Sequence, residues 1–171
     1  NKFLGKNGGT ATSNDGTVIK ANNFEYDKLR NILIAIGDVE IDDKKENIII
    51  TSQKITYFKN KEFIFSEGQS QAISDGIIID ADNFEYNKIT NTINANGDVK
   101  IKESINDYLI LSKDATYYKN LEKIITNGDT EAFIQSRYIV DSKDVTYLHN
   151  KKVLSSQHKL GYDTYSFLLC K

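Results

Sequence analysis

Apolar and polar positions alternate along this chain in short runs, and the runs return about every 30 residues. Five tyrosines, Tyr26, Tyr57, Tyr86, Tyr117 and Tyr147, set the register at spacings of 31, 29, 31 and 30 residues. Upstream of each stands a branched aliphatic residue (Ile19, Ile50, Ile79, Ile110, Val140), followed two positions later by a small one (Ala21, Ser52, Ala81, Ser112, Ser142). Residues two apart share one face of a strand, so these columns lie side by side. The column just before the tyrosines (Phe24, Ile55, Phe84, Ala115, Val145) has the opposite parity. The facing therefore flips inside each strand, as it does at a bulge or sharp bend, and Asn22-Asn23 and Asp82-Asn83 mark the place.

After each tyrosine comes a polar, turn-rich stretch and then a second strand, with Leu33, Ile64, Ile93, Ile124 and Leu154 in one column and Ala35, Ser66, Ala95, Thr126 and Ser156 in the next. Gly37, Gly68, Gly97 and Gly128 interrupt these second strands, and Val39 and Val99 continue the inward parity beyond them. A residue without Cβ suits a tight corner, so each glycine predicts a kink in a long bent strand. The units come in two flavours. Ala21-Asn-Asn-Phe-Glu-Tyr26 returns as Ala81-Asp-Asn-Phe-Glu-Tyr86, and Gly37-Asp-Val-Glu-Ile41 as Gly97-Asp-Val-Lys-Ile101, both offset by 60. A period of this size marks stacked supersecondary units.

No segment sustains a helical period, so the chain reads as all-β. The expected strands run near 17–26, 32–41, 48–58, 62–72, 77–86, 92–101, 108–118, 123–133, 138–147 and 152–156. Residues 1–16 read as a flexible leader, 17–156 as the repeat domain and 157–171 as an irregular tail. Polar turns between strands favour hairpins, and hence an elongated antiparallel sandwich folded along a crease; a parallel β-helix is the alternative. Ten strands about 4.8 Å apart make a ladder about 45 Å long.

Composition narrows the function. The 22 basic and 24 acidic residues are dispersed, which offers no basic stripe for nucleic acid. No run of about 20 apolar residues provides a spanning helix, and the start at Asn1 reads as a mature or excised segment. Enzyme chemistry lacks an inventory. His149 and His158 sit at the decaying end of the repeat and read as surface histidines, and Cys170 reads as an incidental thiol. Asp42-Asp43 and Asp80-Ala-Asp82 are too sparse for calcium, and Gly5-Lys-Asn-Gly-Gly9 is not a phosphate loop. No catalytic residue, metal site or cofactor is expected.

The Ala-x-Asn-Phe-x-Tyr and Gly-Asp-Val-x-Ile segments, with the strand-loop-strand cadence between them, resemble the OstA-like domain of the lipopolysaccharide-transport system. That family includes a soluble periplasmic bridge protein and the periplasmic N-terminal part of an outer-membrane assembly protein. The resemblance implies a V-shaped, semi-open β-jellyroll in the periplasm whose apolar interior carries lipopolysaccharide acyl chains. It also implies stacking onto sister domains, or onto further copies, by edge-to-edge strand addition. The expected lipid-binding residues are Ile19, Ala21, Leu33, Ala35, Ile50, Ile64, Ile79, Ala81, Ile93, Ala95, Val99, Ile110 and Ile124. The small-residue columns have a plainer reading, that the two walls approach each other there. The competing function is a structural β-solenoid or adhesin-type stalk, whose interior would be filled.

Overall fold

In the structure, a computed structural model, residues 2–103, 107–134, 138–157 and 164–168 are described. The expected Ile48–Phe58 and Tyr108–Tyr118 strands form at those bounds as β6 and β12, and three more long strands run unbroken: β5 (Ile32–Asp43), β11 (Thr92–Glu103) and β13 (Lys123–Ile134). The others break at the crease. Residues 17–26 become β3 (Val18–Ala21) and β4 (Asn23–Asp27); 62–72 become β7 (Phe63–Glu67) and β8 (Ser70–Ser74); 77–86 become β9 (Ile77–Ala81) and β10 (Asn83–Asn87); 138–147 become β14 (Tyr138–Lys143) and β15 (Val145–Leu148). Val153–Gln157 forms β16. Every pairing among the described residues is antiparallel, so the parallel β-helix alternative falls.

The pairings define two walls that share the bent strands. One runs β1 (Lys2–Gly5), β4, the first half of β5, the second half of β6, β7, β10, β11, β12, β13, β15, β16 and β17 (Thr164–Leu168). The other runs β2 (Gly9–Thr12), β3, the second half of β5, the first half of β6, β8, β9, β11, β12, β13 and β14. Within them β6, β7, β10, β11, β9 and β8 close a six-strand ring.

The ends differ from expectation. The 1–16 stretch, read as a flexible leader, supplies β1 and β2, and Thr164–Leu168 in the expected tail pairs with β16. Main-chain pairing needs no side-chain signature, so a strand can join an edge without carrying the repeat's columns. His158 and Cys170 lie outside the described residues.

The crease is a row of bulges. Register shifts between Ile36 and Val39 on β5, where Gln53 of β6 alone faces Gly37-Asp38, so β5 keeps its inward parity while β6 flips. The same shift recurs on β11 and β13, where Lys113 of β12 alone faces Gly97-Asp98 on one side and Gly128-Asp129 on the other. At Gly97, with φ +77°, an added Cβ would lie 2.2 Å from Asp82 Oδ2, while the Asp82 N–H donates to the Gly97 carbonyl at 2.9 Å. Gly37 and Asn22 repeat the arrangement.

The two flavours of repeat have a physical cause at this crease. Ser52, Ser66 and Ser70 form a buried hydroxyl cluster, and Ser66 Oγ accepts the Phe84 N–H at 2.7 Å where the chain restarts as β10. Sixty residues on, Ser112, Thr126 and Thr130 form the same cluster, and Thr126 Oγ1 accepts the Val145 N–H at 2.9 Å. The alternate units place Ala21, Ala35 and Val39, or Ala81, Ala95 and Val99, at these positions. Hydroxyls stand where a broken strand leaves a buried donor, and apolar residues stand where it does not.

Candidate lipid-binding interior and its mouth

Two rows of side chains face each other between the walls. On the first wall tyrosines interleave with aliphatic residues in cross-strand register: Tyr26, Leu33, Tyr57, Ile64, Tyr86, Ile93, Tyr117, Ile124, Tyr147 and Leu154. The tyrosines are thus not stacked on one another; each packs between branched neighbours. On the second wall Ile19, Ile41, Ile50, Ala72, Ile79, Ile101, Ile110 and Ala132 form the matching row. Nearer the crease lie Ala21, Ala35, Ala81, Ala95 and Val99.

Twelve of the 13 residues singled out from the sequence are buried, and Leu33 is partly buried against the same cluster. The walls bring them into one continuous interior. Ile41 and Ile101, both 0% exposed, carry the inward parity on beyond the glycine kinks as the sequence pattern implies, and they belong to the same interior although they were not counted among the lipid-binding residues.

The interior is filled along most of its length and opens at the β2–β3 end. There a cavity of about 250 Å³ is lined by Ala11, Ile19, Tyr26, Leu33, Tyr57 and Lys59, with Thr12 and Ser13 at its rim. A larger concavity lies elsewhere, a groove of about 1040 Å³ over the crease and outer face of β11 to β14. Asp98, Lys100, Lys113, Asp129, Glu131, Asp141 and Lys143 ring it with mixed charge, so unlike the interior it is not lined by the aliphatic rows.

Opposite the crease, where the turns of the two walls meet, polar contacts lace the mouth. Lys88, from the turn after β10, is buried between Asp15 and Asp43 of the other wall; it stands 3.0 Å from Asp43, which is 1% exposed, and also reaches Thr17 Oγ1 at 2.6 Å. Asn91 donates to Glu46 at 2.7 Å, Lys119 pairs with Asp75 at 2.6 Å, and Tyr147 and His149 approach Glu103 at 3.3 and 3.4 Å. Burial alone would raise the Asp15 carboxyl, but hydrogen bonds from Lys88, Ser13 and the Thr17 N–H outweigh it and hold the group below the usual carboxylate range. Burial would likewise lower the Lys88 ammonium, and its two carboxylates instead raise it. Burial pushes the Tyr117 hydroxyl up to about 12, and the tyrosine hydroxyls reach the mouth: Tyr57 donates to Glu62 at 2.7 Å and Tyr26 to Asn31 at 2.9 Å. Asp15, Glu46, Asp75, Lys88, Asn91 and Lys119 were not singled out from the sequence, because they occupy turns whose polar composition is what any turn requires; Asp43 was weighed there only as a calcium ligand, and His149, read as a surface histidine, is instead largely covered beside Glu103.

Among the described residues no group of three or more His, Cys, Asp or Glu side chains is placed to hold a metal ion, and no helix is long and apolar enough to cross a membrane. Two laced walls around an apolar interior define a β-jellyroll of the lipid-transport class. The chain belongs to the LptA/(LptD N-terminal domain) LPS transport protein family, whose model matches residues 18–153. The fold is similar to that of LptH from Pseudomonas aeruginosa, described as the LptA homologous periplasmic component of the lipopolysaccharide transport device. That match has a TM-score of 0.56 at 13% identity and covers 75% of this chain and 83% of LptH. No curated protein matches by sequence. Membership places the chain in periplasmic lipopolysaccharide transport, in a family of transport proteins that associate with lipopolysaccharide and with one another.

Proposed function

We propose that this domain is a non-enzymatic conduit that holds lipopolysaccharide acyl chains between its two walls and passes them to the next domain toward the outer membrane. One observation carries the reading: the cavity lined by Ile19 and Leu33 opens directly onto the two aliphatic rows that run the length of the ladder. An alkyl tail entering there passes Thr12, Ser13 and Lys59 at the rim and then meets a mainly apolar lining, at about 0.8 kcal/mol per buried CH₂. The residues proposed to line its path are those named from the sequence, from Ile19, Ala21, Leu33 and Ala35 at the open end, through Ile50, Ile64, Ile79, Ala81, Ile93, Ala95 and Val99, to Ile110 and Ile124.

Among the described residues β1 and β2 at one end, and β14 at the other, each pair along one edge, and their other edges support docking of a sister domain or a further copy by strand addition. Light scattering over a dilution series, with and without a sister domain, tests this; a monomer at every concentration that binds no sister domain refutes it.

The filled centre favours a second reading, a structural scaffold, since Ile50, Ile64, Ile79, Ile93 and Ile110 are at most 2% exposed. A photo-crosslinking residue at position 33 or 93, against neighbours 34 and 94 on the outer face, separates the two. Capture of lipopolysaccharide at 33 and 93 but not at 34 and 94 supports the conduit. Capture at neither inward position in folded protein leaves the scaffold.

A further inference from the structure

The two copies of the Gly-Asp-Val segment differ most at their outward-facing positions: Glu40 and Asp42 on β5 become Lys100 and Lys102 on β11. These strands flank β8 symmetrically in the second wall, in the order β5, β6, β8, β9, β11. Between the acidic and basic ends the outer face carries Ile49, Ile73 and Ile78 in cross-strand register, with Ile49 40% and Ile73 36% exposed. The three isoleucines form a short apolar strip on the outside of the sheet, flanked by opposite charges at its two ends.

We propose that this face is a self-association surface on which two copies of the chain pack face to face about a two-fold axis running along β8. Such an axis sets Ile73 against its own counterpart and Ile49 against the other copy's Ile78. It also sets Glu40 against Lys100 and Asp42 against Lys102, twice over, as an isologous contact requires. In the flanking row Asp80 meets the uncharged Thr51. Aligned sheets pack about 10 Å apart at about 30°, which displaces positions two strands from the axis by about 5 Å, within the reach of lysine and glutamate side chains. Within one copy Glu40 pairs with Lys20 at 2.7 Å, and Lys102 lies 3.9 Å from Asp80. Exposed pairs of this kind hold weakly and can re-form across an interface. The pairing is independent of lipid and differs from end-to-end stacking, which would hold the two copies of residue 73 about 45 Å apart.

The test uses two charge-reversed full-length variants, Lys100→Glu/Lys102→Glu and Glu40→Lys/Asp42→Lys. Sedimentation should show each self-associating at least tenfold more weakly than wild type, and an equimolar mixture pairing again, because every reversed contact is then complementary. In a Cys170→Ser background, Ile73→Cys should be linked into a dimer by a short bifunctional maleimide, whereas Leu29→Cys, on an exposed turn of the other wall, should not. Variants that associate as wild type does, a mixture that stays monomeric, or an unlinked Ile73→Cys would each overturn the proposal.

Discussion

Replacing Lys88 by methionine removes the cation that holds the mouth of the V at its most buried point. Asp43 is 1% exposed and loses a partner at 3.0 Å; stranding a buried charge in this way costs about 3–5 kcal/mol. The Asp15 pair adds little, because that carboxylate is 35% exposed and water takes over its solvation. Asp43 can recover part of the loss by admitting water, so the expected destabilisation is about 3 kcal/mol, or roughly 6–12 °C in Tm for a domain of this size. Urea unfolding of Lys88→Met and of Lys88→Met/Asp43→Leu measures it, and the double variant should regain most of the loss because no buried charge is left. The pH dependence carries a sign. Asp15 is held below its ordinary pKa, so its contribution is present above the usual carboxylate range and is lost as pH falls through the lowered value. Lys88 is raised, so its contribution is present below the usual lysine range and is lost only as pH climbs through the raised value. The Asp15 share of the gap between wild type and Lys88→Met should therefore be flat near neutrality and shrink below about pH 4. A Lys88→Met protein within about 0.5 kcal/mol of wild type at pH 7 would refute the latch.

Gly97→Ala should destabilise more than Gly128→Ala in the same urea assay: both strain a left-handed backbone by about 1–2 kcal/mol, but only the first drives a Cβ into Asp82, while nothing lies within 4 Å at the second. Ser66→Ala orphans the buried Phe84 N–H and should cost about 1–3 kcal/mol, whereas Ser155→Ala, whose 3.4 Å contact to the Thr146 carbonyl is only part-buried, should change stability by under about 0.5 kcal/mol.

The inward rows were legible because two independent periods agree on them: alternation within a strand, and the repeat between strands. Ile19, Ile50, Ile79 and Ile110 satisfy both, and all are buried. The parity flip near Asn22 and Asp82 was legible for the same reason, as a column that changes phase in every unit. What the flip does was not legible. A bulge is a relation between two strands, and whether Gly37-Asp38 faces one residue or two depends on a register that one strand's sequence does not contain. The terminal strands escaped because Lys2–Gly5 and Gly9–Thr12 do not carry the repeat's columns, and their few side-chain contacts, such as Phe3 on Tyr26, appear only once the main chains have paired. The latches escaped for a deeper reason. Lys88 and Asp15 are 73 residues apart, and only the folding of one wall over the other brings them together.

A closed mouth and a filled interior bear directly on how a conduit would work. Exchanging core contacts for acyl-chain contacts is nearly neutral, because one hydrocarbon surface replaces another; the net gain is the chain's own removal from water, about 8 kcal/mol for ten methylenes. The latches cannot exceed that. Exposed pairs such as Lys119–Asp75 contribute at most about 1 kcal/mol each, and the buried Lys88–Asp43 pair costs about 3–5 kcal/mol to break. A lipid tail therefore outweighs the latches, while a lone short amphiphile does not, and the mouth should open only under a multi-acyl load. Lys88, 6% exposed in the closed state, reports this. Its modification by an amine-specific acylating reagent, read by peptide mass spectrometry, should rise severalfold when lipopolysaccharide is added and stay unchanged with octanoate. Equal protection of Lys88 in the loaded protein would mean that cargo rides without parting the walls, and the latch would then be a stabilising brace unconnected with transport.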